Sequence, residues 1–248
     1  MSELRAEHLT IRYRSVTAVW DVSLSVGSGE ILTIVGRNGA GKTTTLSAIA
    51  GILRVTDGRI FLDGADITAS GTHERVRKGI SLVQEGKRIF RRLSVQDNLV
   101  LGAYAQRGSH RATLHTLGEV YERFPMLAER RRFVAGSLSG GQQQMLAVAQ
   151  ALVAKPRFLL LDEPSAGLSP LVAHQVFEIV QQLAQEGLGI ILVEQLVDEA
   201  LELAHQILVL DVGRILASGA PTGIDVWATL RGEGTLQGVL DRRGKQGE

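Results

Sequence analysis

The stretch Gly36-Arg37-Asn38-Gly39-Ala40-Gly41-Lys42-Thr43 constrains the fold of this chain more than any other, because it places a glycine-rich turn between an apolar strand and a helix. Ile31 to Val35 reads as a short buried strand, Gly36 interrupts it, and from Lys42 onward Thr43, Thr44, Leu46, Ala48, Ile49 and Leu53 suit a helix. In that order the eight residues satisfy the G-x-x-x-x-G-K-[ST] phosphate-loop pattern. Glycines let the backbone turn tightly, so that successive N–H groups point inward, and the following helix turns its positive end toward the same place. The residues from Gly36 to Thr44 are therefore candidate contacts for the phosphates of a nucleotide. Lys42 would lie along the β- and γ-phosphates as a point charge, and the Thr43 hydroxyl would ligate Mg²⁺.

A second motif has complementary chemistry. Phe158-Leu159-Leu160-Leu161 is an apolar strand that ends in two carboxylates, Asp162 and Glu163. Successive strand residues face opposite ways, so the two are expected to serve different roles. Asp162 would support the hydrated Mg²⁺, and Glu163 would orient and polarise an attacking water. Taken alone, the pair equally fits an acidic strand end before the turn at Pro164.

The rest of the chain has the rhythm of an α/β fold. Leu9 to Tyr13, Ala18 to Val26, and Arg59 to Leu62 after an Asp57-Gly58 turn signal read as strands. From Lys87 to Ala154 the character changes. Leu93 to Tyr104, Leu114 to Phe124 and Gly140 to Leu152 are helix-like, with no convincing strand between them, which predicts a helical insertion over residues 87–154. Beyond Pro156 the alternation returns. Val172, Val176, Ile179, Val180 and Leu183 mark one helix face, Ile190 to Val193 is a strand, Leu196 to Ala204 a helix, and Ile207 to Leu210 with Ile215 to Ala217 a hairpin about Gly213. No internal repeat or linker divides the 248 residues, so a single domain over 1–248 is expected, and the polar tail from Ile224 to Glu248 gives no functional signal.

Charge and composition exclude several classes. The 27 Lys+Arg nearly balance the 26 Asp+Glu, so no broad positive field points to nucleic acid as the main partner. Basic runs are local: Lys87, Arg88, Arg91 and Arg92; Arg130, Arg131 and Arg132; and Arg242, Arg243 and Lys245. With no Cys and no ligand-like spacing among the six His, disulfides and thiolate metal sites are excluded. The first eight residues carry charges where a signal peptide needs an apolar core, and apolar runs such as Phe158 to Leu161 fall far short of the ~20 residues of a membrane span.

Leu138-Ser139-Gly140-Gly141-Gln142 decides the family. Ser139 is a natural N-cap, and the helix start behind it presents free N–H groups to an anion. With this LSGGQ signature, the phosphate loop and the Asp162-Glu163-Pro164 run in the same order, the chain resembles the ABC ATPases from about Leu4 to Ala217. The resemblance implies a P-loop NTPase (RecA-like) core with an antiparallel β subdomain and an inserted helical subdomain. It also implies dimers in which the signature of one subunit, through Ser139, Gly140, Gly141 and Gln142, closes over the ATP held by the other. The second ATPase is either another copy of this chain or a related ATPase. Integral membrane permease subunits and a solute-binding protein complete such systems, with the ATPase peripheral on the cytoplasmic face of the inner membrane.

Tyr13 stands where the family has an aromatic residue stacking on adenine, the alternative being a half-buried strand tyrosine. Three positions depart from the commonest family pattern. The glutamine that serves the Mg²⁺ site aligns with Glu85, with Gln84 one place early, and either could reach the metal. The usual histidine after the last core strand is Gln195, which cannot switch charge but can hydrogen-bond a γ-phosphate. The usual aspartate after Pro164 is Ser169. The Glu85-Gly86-Lys87-Arg88 stretch, the Glu194-Gln195 pair and the Gly167-Leu168-Ser169-Pro170 turn are similar to the ATPases of branched-chain amino-acid importers, although that subfamily usually has Pro where Gln84 stands.

Overall fold

The structure, a computed structural model, describes residues 2–105 and 110–232. The basic run Arg242, Arg243 and Lys245 and most of the polar tail lie outside the described residues.

β1 (Glu3–Tyr13) and β2 (Val16–Gly27) pair antiparallel and turn one face to the core through Leu4, Ala6, Leu9, Ile11 and Val19, Val22, Leu24, Val26, with the alternation broken where the register shifts between Ala6 and Leu9. A parallel strand, β3 (Ile31–Val35), then enters the phosphate loop, and α1 (Lys42–Ile49) leaves it. The helix is shorter than the apolar spacing to Leu53 predicts, because Ala50 caps it and Gly51 turns left-handed at φ +77°. Next come β4 (Asp57–Leu62), β5 (Ala65–Asp66), α2 (Thr72–Arg77) and β6 (Ile80–Val83). Asp57-Gly58 opens β4 rather than turning before it. Gly58 sits at a strand irregularity with φ +91°, where a Cβ would come within 2.4 Å of the Glu7 and His8 carbonyls.

The central segment is helical: α3 (Val95–Gly102), α4 (His110–Arg123), α5 (Pro125–Glu129) and α6 (Gly140–Val153). Where one helix from Leu93 to Tyr104 is predicted, Ser94 caps the start of α3 by accepting from Asp97 N–H, and a 3₁₀ turn, Ala103–Ala105, follows its end. The remaining elements are β7 (Phe158–Asp162), α7 (Pro170–Gln185), β8 (Gly189–Glu194), α8 (Val197–Leu203), β9 (Gln206–Asp211), β10 (Arg214–Gly219) and α9 (Val226–Arg231).

Among the described residues the strands form two sheets, β2-β1-β4-β5 and β10-β9-β3-β8-β7-β6. The second is parallel from β9 to β6, with β10 added antiparallel through the Val212-Gly213 turn. Its central strands are buried on both faces. Leu159 and Leu161 of β7 and Ile190 and Leu192 of β8 pack with α6 and α7, whereas Phe158, Leu160, Ile191 and Val193 pack with α1 and the antiparallel sheet. That is why these runs read as continuously apolar. The arrangement brings the C-terminal ends of β3, β7 and β8 side by side, where ligands of open parallel sheets bind.

Candidate functional site

The phosphate loop lies at that edge, and its shape requires glycine at two positions. A Cβ on Gly36 would stand 2.1 Å from the Leu210 carbonyl, and one on Gly41, where φ is +100°, would stand 2.9 Å from the Ala18 carbonyl. Lys42 is only 5% exposed. Its Nζ donates to the Gly36 carbonyl at 2.9 Å and the Arg37 carbonyl at 3.4 Å, and lies 3.6 Å from Glu163 Oε1. The Thr43 hydroxyl donates to Asp162 Oδ1 at 3.0 Å. Tyr13, at the end of β1, is half exposed, with its hydroxyl 3.4 Å from that of Thr44, so its ring flanks the start of α1.

Asp162 and Glu163 do not divide their directions as strand alternation predicts. β7 ends at Asp162, and Glu163 takes φ +48° while its N–H donates to the Val193 carbonyl at 2.9 Å. This left-handed turn brings both carboxylates to one place. Asp162 faces Thr43, and Glu163 faces Lys42 and the Nε2 of Gln195, which donates to its Oε2. Burial pushes the Asp162 carboxyl above the usual range, the Thr43 hydroxyl pulls it back, and the charges of Glu163 and Glu85 push it up again.

Glu85, not Gln84, opens onto this cleft of about 310 Å³, together with Asn38, Lys42, Thr43, Glu163 and Gln195. Gln84 lines a separate cavity with Arg88 and Gln150. Among the described residues no three His, Cys, Asp or Glu side chains share a coordination sphere. Thr43 and Asp162 therefore offer a small set of hard oxygen donors in a negatively charged corner. That suits Mg²⁺, which keeps several waters and takes phosphate oxygens from its substrate.

The signature stands apart from this cleft. Ser139 caps α6 in a full capping box: its hydroxyl accepts from Gln142 N–H at 3.3 Å, and its own N–H donates to Gln142 Oε1 at 3.0 Å. Ser139 and Gly140 are exposed, so the helix tip and its N–H groups face outward instead of being buried in their own subunit. Gly141 packs against Val172 of α7, and a Cβ there would meet Val172 Cγ1 at 2.4 Å. Lys87, read in the sequence as part of a basic run and of the Glu85-Gly86-Lys87-Arg88 stretch, stands at this tip, with its Nζ 3.4 Å from where a Gly140 methyl would lie. A cleft of about 890 Å³ between α4 and α7 is lined by none of the motif residues, and four of its charges pair as Arg123–Glu186 and Lys155–Glu119.

Motif reading missed a buried cluster behind Glu163. Glu194 accepts from Ser165 and Gln195, and it entered the sequence reading only as a mark of family likeness. A glutamate closing a wholly apolar strand, one residue ahead of a polar site residue, is the signal that could have found it. Ser169 starts α7 ahead of Pro170 without a side-chain cap bond.

A phosphate loop after β3, a carboxylate pair at the end of β7 two strands away in the same parallel sheet and an outward-facing signature define a nucleotide-hydrolysing cassette. The ABC transporter family model matches residues 19–166, and the chain belongs to that family as an ATP-binding ATPase subunit. Among curated proteins it is 42% identical to the high-affinity branched-chain amino acid transport ATP-binding protein BraG of Pseudomonas aeruginosa, over 86% of this chain and 91% of that one. It is 37% identical to the lipopolysaccharide export system ATP-binding protein LptB of Escherichia coli, over 90% and 93% of the two chains. It is 36% identical to the probable branched-chain amino acid transport ATP-binding protein LivF of Archaeoglobus fulgidus, over 87% and 91%. Among solved structures, the ADP conformation of an ATP-binding cassette of an ABC transporter superposes with a TM-score of 0.81 at 27% identity, covering 97% of this chain and 99% of that one. No helix among the described residues is long and apolar enough to cross a membrane.

Proposed function

We propose that this subunit hydrolyses MgATP at a composite site between two cassettes and so drives import of branched-chain amino acids or a similar small polar solute. The observation that carries the reading is the convergence of Lys42, Thr43, Asp162, Glu163 and Gln195 on one cleft while Ser139 and Gly140 face outward. Import in particular is supported by the higher identity to BraG than to LptB.

The loop amides and Lys42 hold the β- and γ-phosphates, and the ring of Tyr13 stacks on adenine. Thr43 and Asp162 would hold Mg²⁺, with Glu85 at the edge of the same site; when bound, the ion neutralises charge that develops on the phosphates. Glu163 orients and polarises the attacking water, and Gln195 holds the Glu163 carboxylate and reaches the γ-phosphate through its amide. Ser139, Gly140, Gly141 and Gln142 grip that phosphate from the second cassette. ATP thereby closes the dimer, and hydrolysis reopens it. Lys87, Arg88, Arg91 and Arg92 contact the permease, and a solute-binding protein delivers the cargo on the other side of the membrane.

Replacing Glu163 with Gln should leave ATP binding intact and make closed dimers accumulate, as read by light scattering with ATP. Turnover at the unmodified rate would refute the assignment of Glu163 as the water-activating group.

A further inference from the structure

We propose that Glu194 is a positioning residue for hydrolysis, fixing Glu163 and Gln195 relative to each other by holding Ser165, just past Glu163, and the backbone N–H of Gln195 itself. Its Oε1 accepts from Ser165 N–H at 2.9 Å, and its Oε2 accepts from the Ser165 hydroxyl at 2.8 Å and from Gln195 N–H at 3.1 Å. Ser165 lies two residues after Glu163, and Gln195 is the residue that donates to the Glu163 carboxylate. One carboxylate thus ties the turn leaving β7 to the turn leaving β8.

The need for such a tie comes from the backbone. Glu163 has a left-handed φ of +48°, a conformation that a side-chain-bearing residue keeps only where its surroundings over-determine it. The Val193 carbonyl holds its N–H from one side, and the doubly bonded Ser165 holds the chain that follows. Glu194 is 1% exposed and has no cationic partner among the described residues. A buried carboxylate without a counter-charge is costly, and an apolar side chain would fill the same space without that cost. What the carboxylate provides that an apolar group cannot is two acceptor oxygens in fixed directions, serving three donors.

This inference rests on the reading of Glu163 as the water-activating residue, and the experiment separates the two. Glu194→Ala, Glu194→Gln and Ser165→Ala are made beside Glu163→Gln, and kcat, KM for ATP and the thermal midpoint are measured for each. Glu194→Ala should lower kcat by about 100-fold, the loss expected of roughly 1 Å of misplacement at a reacting group, with KM nearly unchanged. Glu194→Gln should not rescue, because its amide turns one acceptor into a donor that faces other donors. Ser165→Ala keeps the bond from Ser165 N–H and should fall less, by about tenfold, consistent with the loss of one hydrogen bond to a charged group. If Glu194→Ala fails to fold, the single-hydroxyl variant Ser165→Ala carries the test alone. Unchanged kcat in the folded variants, or a KM that rises in proportion as kcat falls, overturns the proposal. Those outcomes with an inactive Glu163→Gln leave the proposed function standing, whereas normal turnover of Glu163→Gln removes both.

Discussion

Adding one methyl group at Gly141 should cripple hydrolysis through a contact inside the subunit. The added carbon would lie 2.4 Å from Val172 Cγ1, so the two must separate by roughly 1.3 Å to reach the ~3.7 Å of ordinary carbon contact. Val172 is β-branched and sits in the first turn of α7, where its χ1 is stiff. The Gly140–Gln142 tip must give instead. Overpacking of this kind costs about 1–3 kcal/mol, and a shift of about 1 Å at a tip proposed to grip the phosphate costs about 100-fold in rate. Phosphate release at saturating ATP and the thermal midpoint are the two readouts. Gly141→Ala should lose most of its turnover, and Val172→Ala in the same chain should restore most of it by removing the carbon that clashes. A fully active Gly141→Ala, or a double variant as inactive as the single one, would refute this reasoning.

Other outcomes follow from single contacts. Tyr13→Ala should weaken ATP binding by about tenfold, within the ~1–3 kcal/mol that base stacking supplies, while Tyr13→Trp keeps it; equal affinities by nucleotide titration would remove Tyr13 from the adenine site. Asp63 is held at about 2 by the Ser2 hydroxyl, then the Glu3 N–H and Arg157. Its folded value is depressed, so its contribution is present above the unfolded value of 3.8 and is lost as the pH falls toward 2. With a side chain 40% exposed, that contribution is screened to about 1 kcal/mol or less. The difference in unfolding free energy between the unmodified chain and Asp63→Asn should therefore be flat from pH 7 to about pH 5 and shrink below it.

Much of the cassette was legible because its physics is local. The loop from Gly36 to Thr43 needs its glycines within one turn, and the buried runs of β3, β7 and β8 are apolar on both faces, so both leave contiguous marks in the sequence. The ends of elements were less legible. Glu163 looked like the next residue of a strand, but its left-handed turn is imposed by the Val193 carbonyl across the sheet, a contact 30 positions away. Glu85 and Gln84 could not be separated by spacing, and only the path of the chain after β6 places one in the nucleotide cleft and the other behind it. Arg75 shows the same limit. It is buried against the carbonyls of Ala48 and Ile49 at the end of α1, yet in sequence it is one of several charges on a short polar helix.

Mixing two disabled chains tests most directly whether one ATP is gripped by two subunits. Lys42→Ala leaves an intact signature, and Ser139→Arg leaves an intact phosphate loop, so each should be inactive alone. Combined in equal amounts, half of the dimers contain one of each chain and rebuild one complete site, so phosphate release should recover to roughly a quarter of the unmodified rate. No recovery on mixing would contradict a site shared between two copies of this chain.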